Sequence, residues 1–159
     1  MHFQDYRKRR TTERLARLME GYESNYLSIR LLVPALATLD KGDVRISRVD
    51  GCVDLKLEVL EKEKYTTTLR LTYVFDEAAD KREEPDLTIR VYHDARTAEA
   101  MSGLIHGRRH EQRRRRDLDE GWVLNRFLHK WIRYCLHRGH RFDERSDAVA
   151  GTALCLAGR

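Results

Sequence analysis

Residues 113–139 read RRRRDLDEGWVLNRFLHKWIRYCLHRG, and this stretch decides the architecture of the C-terminal half. Leu124, Phe127, Leu128, Trp131, Ile132 and Cys135 recur at i, i+3, i+4, i+7, i+8 and i+11, which is one face of a helix. Asp117 and Asp119 stand where side-chain oxygens can cap free N–H groups, and Gly139 stands where a left-handed stop belongs. The opposite face collects Arg126, His129, Lys130, Arg133 and His137 with no acid among them. Like charges four residues apart oppose helix formation by about 0.2–0.5 kcal/mol per pair. An isolated helix gains nothing from this arrangement, so the pattern points to an anionic partner for that face.

Working outward, the chain before this helix changes period twice. Thr11 or Thr12 is expected to cap a first helix carrying Leu15, Leu18, Met19, Tyr22, Tyr26, Ile29 and Val33 on one side, ended by Pro34. The period then falls to two. Val44 to Val49 predicts a first strand and Asp50-Gly51 a two-residue hairpin. Val53, Leu55, Leu57 and Val59 alternate with charged residues, and Tyr65, Thr67, Leu69, Leu71, Tyr73 and Phe75 alternate likewise. Asp76 to Asp86 is an acidic loop, and Leu87 to Tyr92 predicts a fourth strand. Ala95 to Met101 is expected as a short helix broken by Gly103 and Gly107, with residues 106–116 a basic connection. The resulting expectation is an α+β fold. It comprises a four-stranded antiparallel sheet with a long N-terminal helix, a short helix and a long C-terminal helix packed mainly on one face. Residues 1–11 are expected as a basic flexible N-terminus, 12–139 as one domain and 140–159 as a C-terminal tail, with Ala153 to Leu156 able to dock locally.

Composition limits the function classes. Apolar residues make up 41% of the 159, enough for a packed core, and charged residues 36%. No run is apolar enough for a membrane span, and the first residues lack the apolar stretch of a signal peptide. Cys52, Cys135 and Cys155 have no CxxC spacing. They fit free thiols in a reducing cytoplasm, without a disulfide. Net charge is uneven. Residues 1–50 hold ten basic against seven acidic side chains, 51–100 eight against twelve, and 101–159 thirteen against seven. The acidic middle either neutralises the basic ends inside the fold or leaves them as a positive surface.

Two candidate sites follow. Arg108, Arg109 and Arg113, Arg114, Arg115 and Arg116 could bind phosphates through their planar forks, joined by Arg126, Lys130 and Arg133, with Arg7 to Arg10 as a second arm. The bland alternative is a solvated loop, and no helix-turn-helix, RRM or KH signature is present. The second site is Tyr92-His93-Asp94 with Glu99. His93 could act as a general base oriented by a carboxylate, or the three could hold a divalent metal; a hydrogen-bonded structural corner is the competing reading. His106 and His110 have helical metal-pair spacing, but Gly107 and the neighbouring arginines argue against it. Asn125, if buried, needs partners, and the Tyr92 to Asp94 corner is one candidate. No cofactor is implied.

Several segments in this order resemble the YqiB-like proteins, a bacterial family of domains of unknown function. They are Leu31-Leu32-Val33-Pro34, Tyr65-Thr66-Thr67, Arg90-Val91-Tyr92-His93-Asp94-Ala95 with Glu99, Asp119-Glu120, and Asn125 to Gly139, over roughly residues 18 to 139. The resemblance implies a small cytoplasmic α+β domain and brings no activity with it. This chain departs from the family at Gln112 to Arg116, where members tend to carry an aromatic-Pro-Asn stretch, and its last helix is more basic. The leading expectation is a non-enzymatic binding or accessory domain whose basic face meets nucleic acid or an acidic protein. The alternative is a small enzyme or nucleotide-binding domain using His93, Asp94 and Glu99.

Overall fold

The first helix, α1 (Phe3–Leu32), is longer than its expected cap at Thr11 or Thr12 allows. Both threonine hydroxyls instead donate to carbonyls one turn back, Thr11 to Arg7 and Thr12 to Lys8, as interior helix threonines do. The structure, a computed structural model, describes residues 3–75, 83–112, 118–143 and 147–149. Residues 7–17 of α1 are exposed all round, so the expected flexible residues 3–11 are a projecting helical start. From Leu18 onward one face is buried through Asn25, Ser28, Ile29 and Leu32. This face is rotated from the expected stripe. Leu15 and Met19 are left nearly half exposed, and a buried asparagine and serine take positions that hydrophobicity alone would not assign.

After a 3-10 turn at Leu36–Thr38, seven strands among the described residues form one antiparallel sheet: β1 (Val44–Ser47), β2 (Asp54–Lys62), β3 (Thr66–Val74), β4 (Asp86–Tyr92), β5 (Thr97–Ile105), β6 (Arg108–Glu111) and β7 (Asp147–Val149). Their order is β6-β5-β4-β3-β2-β1-β7: a six-strand meander with the last strand returning to pair with β1. Period-two burial follows the predicted pattern. Leu55, Leu57, Val59, Leu69, Leu71, Leu87, Ile89 and Val91 are buried on the inner face.

The expected four strands become seven for identifiable reasons. The predicted short helix at Ala95 to Met101 is strand β5. The chain reverses at His93 to Arg96, with Arg96 at φ 52°, so Tyr92 lies opposite Thr97. Ala98 and Ala100 suggested helix, but as small inward residues on a strand they let a helix approach closely, and tertiary packing overrides propensity. Gly103 is a packing requirement of β5 and not a helix breaker. A Cβ there would lie 2.1 Å from the Leu87 Cδ2 atom. The predicted basic connection contains a two-residue hairpin. His106 and Gly107 both have positive φ, 50° and 72°, and Ile105 pairs with Arg108. The Asp50-Gly51 hairpin is longer than predicted, because Ser47 pairs with Leu55 and residues 48–53 separate the two strands.

The second long helix, α2 (Leu118–His137), follows the sequence closely. Leu124, Leu128, Trp131, Ile132 and Cys135 are buried, and Phe127 packs against them. Gly139, at φ 96°, ends it, and His140 donates its N–H back to the carbonyl of Cys135. Both helices pack on β5 and on each other. In the expected tail, His140 and Phe142 are buried and residues 147–149 form a strand; Ala153 to Leu156 lie outside the described residues.

Candidate functional site

β6 pairs with β5 only from Ser102 to Ile105, so the first half of β5 turns its edge toward the helices. Asn125 of α2 accepts the backbone N–H of Ala100 at 2.8 Å and donates to the carbonyl of Gly121. Asn25 of α1 donates to the same Asn125 oxygen at 3.4 Å. Asn125 therefore serves the bare strand edge and not the corner at Tyr92 to Asp94 expected from sequence.

Strand alternation separates the three catalytic candidates. Ala98 and Ala100 point into the core, so Glu99 points to the other face, beside Tyr92. The Tyr92 hydroxyl donates to the Glu99 Oε1 atom at 2.8 Å. The next residue, His93, faces the side of buried Thr67, whose hydroxyl lies 2.7 Å from its Nε2 atom, and its backbone N–H donates to the carbonyl of Tyr65. Burial, and then the nearby Arg30 and Lys62 charges, hold His93 below the ordinary histidine value. Asp94 is exposed and accepts the N–H of Ala95 within the turn that joins β4 to β5. The fold thus brings Glu99 together with Tyr92, and sets His93 on the opposite side of the strand. Among the described residues no group of three or more His, Cys, Asp or Glu side chains is arranged to hold a metal.

Glu99 lies in a cleft of about 600 Å³ between the projecting part of α1 and the outer face of β4 and β5. Tyr22 enters from α1 and lines the cleft beside Glu99 and Gln112. Burial, then the Glu99 charge, push the Tyr22 hydroxyl up to about 12. Arg90 stands directly opposite Glu99 on β4. Sequence reasoning found Glu99 but missed Tyr22, Arg90 and Gln112. The Arg90–Glu99 pairing becomes visible only once 97–105 is read as a strand.

The basic candidates divide. Arg126, Lys130 and Arg133 are exposed on α2, and Arg108 and Arg109 are exposed on β6, which packs beside α2. His110, between these groups, is engaged by Glu120 at 2.8 Å, and His106 packs edge-on against Phe127. Arg113 to Arg116 and the capping Asp117 lie outside the described residues. Two acids of the middle segment, Glu83 and Asp86, are engaged by basic side chains of the sheet. Arg70 forms a two-pronged bond to Asp86, at 3.0 and 2.8 Å, and meets Glu83 at 2.8 Å, while Lys56 also pairs with Glu83.

These features define an α+β domain built as an antiparallel meander whose one incomplete edge is closed by a helix side chain. The chain belongs to the family described as protein of unknown function (DUF1249), whose profile matches residues 28–141. It is 28% identical over 136 residues to the uncharacterised protein YqiB of Escherichia coli strain K12, covering 82% of this chain and 94% of that protein; YqiB of strains O6:H1 and O157:H7 gives the same values. The resemblance read from the sequence is therefore borne out. No solved structure gives a significant match. Among the described residues no helix is long and apolar enough to cross a membrane, and Cys52 and Cys135 are free thiols.

Proposed function

We propose that this protein is a cytoplasmic, non-enzymatic binding domain that meets an anionic partner, nucleic acid or an acidic protein, through the outer face of α2. One observation carries the reading. Arg126, Lys130 and Arg133 are exposed on the side of α2 opposite its buried stripe, while the middle-segment acids Glu83 and Asp86 are engaged by Arg70 and Lys56. Arg108 and Arg109 of β6 extend the surface, and the run Arg113 to Arg116 precedes α2 in the sequence. Guanidinium groups suit phosphate and carboxylate because each offers parallel donors, and several together raise the local anion concentration. The free thiols agree with a reducing compartment.

Binding to tRNA, duplex DNA and polyglutamate across a salt series tests this. Binding near ~50 mM salt that weakens steeply with added salt is the expected result. A triple Arg126, Lys130 and Arg133→Ala change should flatten the slope, and so should a quadruple Arg113 to Arg116→Ala change. Preference for polyglutamate over both nucleic acids selects the acidic-protein version. No binding to any of the three near ~50 mM salt overturns the proposal.

The enzyme reading at His93, Asp94 and Glu99 gains little support, because the two potential proton-transfer groups lie toward opposite faces of the sheet, His93 on buried Thr67 and Glu99 on Tyr92.

A further inference from the structure

The cleft beside Glu99 has a chemistry of its own, independent of the basic face of α2. Its volume, about 600 Å³, falls within the range of small-molecule sites. Among the described residues that line it, the charged ones are Arg90 and Glu99, which are direct partners across the β4–β5 pair. Their Cα atoms are thus about 5 Å apart, the spacing of residues facing one another on antiparallel strands. Glu99 accepts a hydrogen bond from the Tyr92 hydroxyl at 2.8 Å, and the Tyr22 side chain lines the same cleft. Neutral donors orient a carboxylate and leave its charge in place, and a carboxylate has about four acceptor positions, so capacity remains for a ligand. The wall is apolar. Leu15, Leu18 and Met19 of α1 face Met101 of β5, and Leu15 and Met19 are 47% and 45% exposed. Methionine chains adapt to varied apolar shapes.

We infer that the cleft binds a small zwitterion with an apolar side chain, the chemistry of an apolar α-amino acid. Arg90 takes the carboxylate through its planar fork. Glu99 takes the ammonium group. The α1 wall and Met101 take the side chain. The balance of charges selects this class over its neighbours. A ligand carrying only a carboxylate is repelled by Glu99, and one carrying only an amine is repelled by Arg90. A ligand with neither charge leaves both charged groups desolvated without compensation.

Calorimetric titration of the full chain with L-leucine, L-methionine and L-phenylalanine, each to ~10 mM, tests the inference, with thermal shift as the second readout. At least one amino acid should bind. The charge-truncated analogues 4-methylpentanoate and 3-methylbutylamine should each bind about tenfold more weakly, or worse, than L-leucine. Arg90→Gln and Glu99→Gln should each lose about tenfold or more. Met19→Glu, at an exposed position that the core does not use, should weaken binding without changing the circular dichroism spectrum. If Glu99→Gln fails to fold, Met19→Glu and the two analogues decide the matter. Absence of binding by all three amino acids overturns the inference, as does equal binding of the truncated analogues or binding unaffected by Met19→Glu. None of these outcomes depends on whether the basic face binds an anion.

Discussion

Asn125 on α2 accepts the backbone N–H of Ala100 on β5 at 2.8 Å, so a helix side chain does there what a neighbouring strand does elsewhere in the sheet. Asn125→Leu keeps the size and removes the acceptor. A buried donor left unsatisfied costs about 1–3 kcal/mol. Urea unfolding should show a loss of that order, and the Ala100 amide should exchange with solvent far faster than in the parent. Unchanged exchange at Ala100 would show that another group accepts that proton.

Gly103→Ala should destabilise by about 1–3 kcal/mol, the usual cost of overpacking a filled core. Its Cβ would meet the Leu87 Cδ2 atom at 2.1 Å and the Asp86 carbonyl oxygen at 2.9 Å, and Leu87 is fully buried. Thermal unfolding measures this directly, and a melting point equal to the parent's would contradict the packing described for β4 and β5.

Stability should fall as pH drops from 7.5 toward 5.5. His140 is buried, its Nδ1 atom 3.0 Å from the Ser47 hydroxyl, with Asp54 and Arg138 as the charges acting on it. Burial holds its folded-state value below the ordinary 6.5, and His93 is depressed in the same way. Below pH 6.5 the unfolded chain takes up protons that the folded chain resists. Stability is therefore full above the unfolded value and declines as pH falls toward the folded one, by at most about 1.4 kcal/mol per histidine per pH unit. Chemical denaturation at both pH values, with His140→Asn and His93→Asn as references, checks the sign. Each variant should show a shallower decline than the parent.

Cys135 should resist alkylation in the native protein at pH 8. It is buried on α2 against Tyr73, and burial pushes its thiol up to about 11, so little thiolate forms. Mass spectrometry of iodoacetamide-treated protein should find Cys135 modified only after unfolding, while partly exposed Cys52 reacts first.

Long-period signals in the sequence survive in the fold, and short local ones were outvoted. The α2 stripe, the Gly139 stop and the alternation in β2, β3 and β4 needed only periodicity, and all three appear as read. Thr97 to Ile105 misled because Ala98, Ala100 and Gly103 are chosen for close approach to Leu87 and the helices, and not for backbone preference. With that strand unread, the register that sets Arg90 opposite Glu99 could not be derived, and the cleft stayed hidden. The α1 face was misassigned for another reason. Asn25 and Ser28 are buried by hydrogen bonding and helix contact, which a hydrophobic pattern does not register.

Phe142 donates its N–H to the carbonyl of Leu32 at 2.7 Å, and His140 meets Ser47 on β1. These contacts join points about a hundred residues apart, so they close late and slow the final folding step. On the ribosome, the end of α1 and the strand β1 wait without these contacts until synthesis has passed Phe142. The two ends of the sheet-and-helix core are therefore tied together only after residue 142 has left the ribosome, whatever has formed before it.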